Sequence, residues 1–251
     1  MVDPGSLPDG DGAEALIEPL AGLCGIRLEP AQIEQLDRHC RLVLEANRRF
    51  NLTAAPDRET LMLRHMLDSL AGCVALPRPV LQGRLSVVDV GAGAGFPAIP
   101  LAIARPRWRL TAVESTGKKC RFLEFAAREL ELTNLSVACD RAENLGQSDL
   151  RQSFDLGVAR AVAATAVLLE YCVPLVSVGG HILLYKKGDL RQELRQASRA
   201  MTSMGVVLRA EIPIPKEFPV GDDHRMLLFE KVANTPAGFP RRPGVPRSRP
   251  L

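Results

Sequence analysis

Aromatic rings are scarce in this chain, 4% of 251 residues, with a lone Trp108 and two tyrosines. So few rings do not mark out a stacking stripe for single-stranded nucleic acid. Cysteine pairs at metal or redox spacing are also missing. Cys24, Cys40, Cys73, Cys120, Cys139 and Cys172 include no CxxC, so neither a zinc site nor a redox motif has support and no metal is expected. Most of these thiols are expected to be small apolar core residues in a reducing cytosol. Neither sign of charge prevails: the formal net charge is +3, and an anionic partner would have to be met by local clusters. Long apolar runs are absent, being broken as at Gly179-Gly180, so no membrane span is expected. The acidic start of the chain has no apolar signal core. Export is therefore not expected, and a cytoplasmic monomer is.

What the chain does have is enough apolar character, 46%, to build a core of domain size. Its charges are segregated. Asp3, Asp9, Asp11, Glu14 and Glu18 lie in the first twenty residues without a Lys or Arg, whereas Arg241, Arg242, Arg247 and Arg249 follow Pro236 without an acid. Such a split favours a nucleic-acid partner or a solvated tail. Residues 1–12 are rich in Gly, Pro and Asp and are expected to be disordered. Residues 13–80 read as a helical extension. Pro30 can open a helix over which Ile33, Leu36, Cys40, Val43, Leu44 and Asn47 recur at helical spacing, and a second is expected near Arg58–Ala75, with Pro77 and Pro79 ending the region.

Residues 81–235 change texture. Apolar β-type runs occur at Leu85–Val90, Arg109–Val113, Leu135–Ala138, Phe154–Val158 and Gly180–Tyr185, separated by helical stretches near Pro97–Ala104, Lys118–Leu130, Val162–Val176 and Leu190–Met204. This alternation predicts an α/β fold, a mostly parallel sheet covered by helices on both faces. Val206–Ile212 and Met226–Val232 have only a loop between them, which predicts a C-terminal antiparallel hairpin. Residues 236–251 form a basic, Pro- and Arg-rich end.

The first strand runs into VVDVGAGAGFPAIP, Val87–Pro100. Ligands of open parallel sheets bind beyond the carboxyl ends of the strands, where this turn falls. No Lys-Ser or Lys-Thr follows it, so it is not a phosphate loop. A GxGxxG fingerprint would put bulky Phe96 where its third glycine is needed. The remaining pattern is Asp89-x-Gly91-x-Gly93-x-Gly95. Its small residues allow close approach of the backbone and positive φ, and Asp89 can accept from an ammonium group or order the loop. Glu114 ends the next strand, where a carboxylate can take both hydroxyls of a ribose. Asp140-Arg141-Ala142-Glu143 follows the third strand, placed to hold an adenine edge. Three such signals in order point to S-adenosylmethionine, whose amino-acid tail offers both an amine and a carboxylate.

Further motifs are NLTA (Asn51–Ala54), RHMLDSL (Arg64–Leu70), GKKCRFL (Gly117–Leu123), RAENL (Arg141–Leu145), FDLGVARAVA (Phe154–Ala163), KKG (Lys186–Gly188) and TPAGFPRRPGVPRSRPL at the end. With the glycine turn, they make the chain from about Leu16 onward resemble the GidB (RsmG) methyltransferases, which methylate guanine N7 in bacterial 16S ribosomal RNA. The resemblance implies a Rossmann-like class I methyltransferase sheet and a small-ribosomal-subunit substrate. It also implies contacts from Gly91, Phe96, Ala142, Glu143 and Arg160 to the methyl donor. Two positions depart from the family: Ala92, where Thr is frequent, and Ala98, where Gly is.

Guanine N7 has a free lone pair and no proton in the neutral base. The implied transfer then needs no general base and no enzyme nucleophile, so no catalytic residue is assigned and proximity carries the rate. RNA contacts are expected from basic clusters: Arg48, Arg49, Arg64 and His65; Lys118, Lys119 and Arg121; Lys186, Lys187 and Arg191; and the final arginines. Arg64, His65, Lys187, Arg241 and Arg242 are the leading candidates. Such residues give affinity and salt dependence rather than sequence choice. A protein or small-molecule acceptor, a non-catalytic RNA-binding module and an oxidoreductase are the competing readings.

Overall fold

A computed structural model describes residues 12–160, 163–218 and 223–251. The disorder expected for residues 1–12 lies outside the described residues, except for Gly12, which opens α1 (Gly12–Leu23). Helix α2 (Pro30–Asn47) starts with proline at its first position, and the Glu29 N–H donates to Gln32 Oε1 at 2.8 Å, so a donor that helix geometry orphans is satisfied. Asp57 caps α3 (Arg58–Leu61) by accepting from Thr60 N at 2.7 Å. The chain continues through a π turn (Met62–Met66), α4 (Leu67–Ala71) and a 3-10 turn (Gly72–Ala75), all within the expected Arg58–Ala75 helix. Pro77 and Pro79 do not end the helical region. Pro77 precedes α5 (Arg78–Gln82) and Pro79 sits in its first turn, where a missing N–H costs nothing.

Among the described residues seven strands follow: β1 (Ser86–Val90), β2 (Arg109–Val113), β3 (Leu135–Ala138), β4 (Phe154–Arg160), β5 (Val176–Lys187), β6 (Val206–Pro213) and β7 (His224–Lys231). Their spatial order is β3-β2-β1-β4-β5-β7-β6. The pairs among β1 to β5 are parallel, and β7 is antiparallel to both β5 and β6. The expected hairpin is therefore present, with its second strand inserted between the first and the rest of the sheet. Helices α6 (Ala98–Ala104), α7 (Gly117–Glu129), α8 (Ala142–Leu145), α9 (Thr165–Cys172) and α10 (Arg191–Met204) connect the strands, and α11 (Val245–Ser248) lies near the end. No helix among the described residues is long and apolar enough to cross a membrane.

Strand residues divide between two cores with period two. Val87, Leu110, Ala112, Leu156, Val158, Leu183, Tyr185 and Leu228 face one, together with α6, α7 and the N-terminal helices. Val88, Val90, Val113, Ala159, Ile182, Leu184, Leu227 and Phe229 face the other, with α9 and α10. The helical extension thus shares a core with one face of the sheet.

Four cysteines, Cys24, Cys40, Cys73 and Cys172, are buried thiols. Cys120 and Cys139 differ from the expected core thiols, because a disulfide joins them across a separation of 19 residues. No motif reveals this pair, since the β2–α7–β3 crossover brings them together.

The basic end is packed against the sheet domain. Arg151 donates to Gly146 O and Phe239 O, both at 2.7 Å, and to Thr235 O and Pro236 O at 2.8 and 3.1 Å. Nearby Lys231 is wholly buried, with its ammonium on Gln152 Oε1, Val173 O and Val176 O at 2.9, 3.0 and 2.7 Å. Its three donors are used, although burial pushes its pKa down to about 8.

One close contact makes the seam between extension and sheet testable. A Cβ at Gly72 would lie 2.2 Å from Tyr185 Oη, and that hydroxyl donates to Ser69 O at 2.7 Å. Gly72→Ala is expected to cost about 1–3 kcal/mol, as overpacking does. A urea melt reads this directly, and an unshifted midpoint would show that the ring yields freely.

Candidate active site

The glycine turn lies where β1 ends and the strand order reverses, the position at which doubly wound sheets bind ligands. Gly91, Gly93 and Gly95 have φ of 83°, 58° and 92°, values that favour glycine. Gly91 N and Ala92 N donate to Val113 O at 2.9 and 3.0 Å, tying the turn to β2. Below it, His39 Nε2 lies 2.9 Å from Ala94 O, so that nitrogen carries the proton. Burial pushes the His39 pKa down to about 4 and keeps the ring neutral.

The glycines differ in use. A Cβ on Gly95 would come within 2.5 Å of Ile99 Cδ1 and 3.2 Å of His39 Nε2, so this glycine admits the helix behind the turn. On Gly93 a Cβ would meet only Gly91 O, at 3.8 Å, so this glycine keeps main chain bare toward open space. That space is a cavity of about 620 Å³ lined by Gly91, Ala92, Gly93, Ala94, Phe96, Glu114, Ala142, Glu143 and Arg160 among others.

Asp89 and Gly95 lie behind this wall rather than in it. Asp89 is 1% exposed, and its Oδ2 accepts from Ala98 N at 3.0 Å, at the start of α6. Of the two roles open to it, the geometry shows ordering of the loop. Burial raises its pKa to about 7. Glu114 faces the cavity, with Oε2 accepting from Gly93 N at 3.2 Å and Oε1 from Thr116 N at 2.8 Å. These bonds fix the carboxylate and leave each oxygen a lone pair. Glu143 is 4% exposed and accepts from Gly244 N at 2.9 Å. The chain end therefore contributes a wall, with Gly244, Arg247 and Ser248 lining the cavity. Sequence reasoning missed this wall.

The opposite wall depends on Arg160, which ends β4. Its Nη1 donates to Asp68 Oδ2 at 2.8 Å and its Nη2 to His65 Nδ1 at 2.7 Å, and the guanidinium carbon lies 5.6 Å from the Phe96 ring centroid. Because Nδ1 accepts, the His65 proton sits on Nε2. Burial, reinforced by Arg160, lowers the His65 pKa to about 4. Asp68 also receives His224 Nδ1 at 3.1 Å. Burial pushes the Asp68 carboxyl up, but the bonds from His224 and Arg160 outweigh it and hold the group below its ordinary range. Asp68 and His224 were not anticipated. The signal for Asp68 was an acid inside the apolar run MLDSL.

Among the expected RNA contacts, Arg64 and Lys187 are exposed and His65 lines the cavity. Arg242 is exposed, but Arg241 is a correction. Its guanidinium grips fully buried Glu170 through Nη2 at 2.6 Å and Nε at 2.8 Å, while its backbone N–H donates to the same carboxylate at 2.8 Å. Releasing it to a phosphate would strand a buried charge.

Strand order, a bare glycine turn, and acids after β2 and β3 together define a Rossmann-like class I methyltransferase. More narrowly, the chain belongs to the GidB family, rRNA small subunit methyltransferase G, whose model matches residues 32–213. It is 39% identical over 241 residues to the ribosomal RNA small subunit methyltransferase G of Carboxydothermus hydrogenoformans, covering 95% of this chain and 100% of that one. It is 40% identical over 240 residues to the Leuconostoc citreum protein of the same name, covering 95% and 98%.

Two measurements probe this geometry. Gly95→Ala is expected to weaken methyl-donor binding at least about tenfold, roughly 1.4 kcal/mol, by calorimetry; unchanged affinity would remove the turn from the site. The His65 folded pKa lies below the unfolded 6.5, so between about 4 and 6.5 the unfolded chain binds more protons. Its contribution to stability is whole above pH 6.5 and is lost as pH falls through about 4. The stability gap between the wild type and His65→Gln should therefore narrow over that window, and a constant gap would contradict the assignment.

Proposed function

We propose that this protein transfers a methyl group from S-adenosylmethionine to N7 of a guanine in bacterial 16S ribosomal RNA. The observation that carries this reading is the convergence on one cavity of the bare Gly91–Ala94 backbone, Glu114, Glu143 and the Arg160–His65 pair. The open space above Gly93 suits a ligand that must touch main chain. Gly91–Ala94 would hold the amino-acid tail, Glu114 the ribose hydroxyls, and Ala142 with Glu143 the adenine side. When bound, the donor supplies an electrophilic methyl on a sulfonium.

The acceptor side offers donors. Arg160 offers guanidinium N–H donors and no acceptor, and His65 presents a neutral ring whose proton is on Nε2. Guanine's Hoogsteen edge carries two acceptors, O6 and N7, so O6 can be held by these donors while the N7 lone pair stays free. An exocyclic amine would call for acceptors instead, and the nearby acceptor Asp68 is committed to Arg160 and His224. Transfer moves one positive charge from sulfur to the guanine ring and creates no new one. Pairing Arg160 with Asp68 keeps a bare cation away from the ring as it becomes charged. No proton must move before attack, and positioning can supply about 7–11 kcal/mol of the barrier reduction.

The test is methyl transfer to unmodified 16S RNA, free and in small subunits. A product at N7 bears a charged ring that borohydride reduces, and aniline then cleaves the RNA strand at that nucleotide, which maps it. Arg160→Ala is expected to lower kcat/KM about 100-fold, the scale of a misplaced reactant. Methyl incorporation into protein, modification at another atom, or full activity of that variant would refute the reading.

A further inference from the structure

A second concavity, of about 400 Å³, lies between the C-terminal half of α2 and the first turns of α7. Its floor is apolar, made by Leu42, Ala46 and Phe50 from the α2 side and by Phe122 and Phe125 from α7. Phe122 is buried, but Phe125 is 41% exposed, an unusual position for a phenyl ring inside an amphipathic helix. The rim is cationic: Arg49, Lys118 and Arg121 stand against one acid, Glu45. Arg49 and Glu45 are 3.8 Å apart with both side chains mostly in solvent, a pair that contributes little. Among the described residues, neither Lys118 nor Arg121 has an acidic partner.

This groove adjoins the methyl-donor cavity. Leu52 and Thr53, just beyond Phe50, line that cavity, as does Lys119, next to Lys118. The two hollows share the segment after α2 and the first turn of α7 as a common partition.

We propose that the groove is a second nucleotide site for the RNA acceptor. It takes an unpaired base from the strand flanking the methylated guanine, stacked on Phe125, with neighbouring phosphates on Arg49, Lys118 and Arg121. The proposal rests on the RNA reading above. Exposed aromatic surface rimmed by cations, two of them without an acidic partner among the described residues, matches the two chemistries that a single strand presents together, a π face and a phosphodiester. A duplex would leave the ring without a stacking partner, and an uncharged apolar peptide would leave the cations unanswered. The nearby cavity supplies direction, because a strand delivering one base there runs on across Lys119 into the groove.

The test measures KM and kcat with protein-free 16S RNA and with small subunits, for the wild type, Phe125→Ala, Phe125→Trp and Arg121→Glu. Thermal melts confirm folding and calorimetry follows methyl-donor affinity. Phe125→Ala is expected to raise KM for protein-free RNA about tenfold with kcat and donor affinity within twofold, and Phe125→Trp to restore KM. Arg121→Glu should weaken RNA binding and reduce the salt slope of log K by about one. RNA carrying 5-iodouridine next to the target should photocrosslink within Phe122–Phe125. If the wild type methylates RNA while Phe125→Ala keeps its KM, the groove proposal is overturned and the methyl-transfer reading stands. A KM rise confined to assembled subunits would also overturn it, in favour of an acidic ribosomal-protein segment. If the wild type modifies no RNA, both readings fall.

Discussion

A buried carboxylate, Asp68, joins three parts of the molecule that are far apart in sequence. It sits on α4, accepts from Arg160 at the end of β4, and accepts from His224 at the start of β7. The helical extension, the middle of the sheet and its antiparallel strand therefore meet at one group. Buried ion pairs seldom add much net stability, because desolvation offsets the attraction, yet removing one partner is costly. The value of this pair is positional. It holds the guanidinium beside Phe96 and His65, and so shapes one wall of the cavity.

The other wall follows from an opposite requirement, the exclusion of side chains. Main chain can be left bare only where the backbone bends without a Cβ, and Gly93 and Gly95 divide that task. Gly93 leaves room in front, and Gly95 lets Ile99 and His39 close in behind. Asp89, beneath them, anchors the start of α6. Rigid support behind a bare turn is what a proximity mechanism needs, since small displacements of reacting atoms are expensive.

How much was legible in the sequence depended on how local the signal was. Strands Arg109–Val113 and Leu135–Ala138 stand where the apolar runs put them, because successive residues of a strand turn to opposite faces and the pattern is contained in the strand itself. The glycine turn was equally plain, since its meaning lies within seven residues. Longer-range pairings were hidden. Arg241 read as a free cation because Glu170, its partner, lies 71 residues away within the apolar stretch TAVLLEYC. Phe50 and Phe125 showed no stripe because only the packing of α7 on α2 brings them to one groove. Pro77 and Pro79 suggest a terminator by composition, yet proline just before a helix or in its first turn starts one, as at α5.

The bond from Gly244 to Glu143 has a consequence for timing during biosynthesis. A ribosome makes this chain from its amino end, so the entire sheet leaves the exit tunnel before the segment that carries Gly244, Arg247 and Ser248. Until then the nascent chain has a cleft with one side missing. Completion of the pocket is thereby deferred until the segment that follows β7 has emerged and folds back over Glu143.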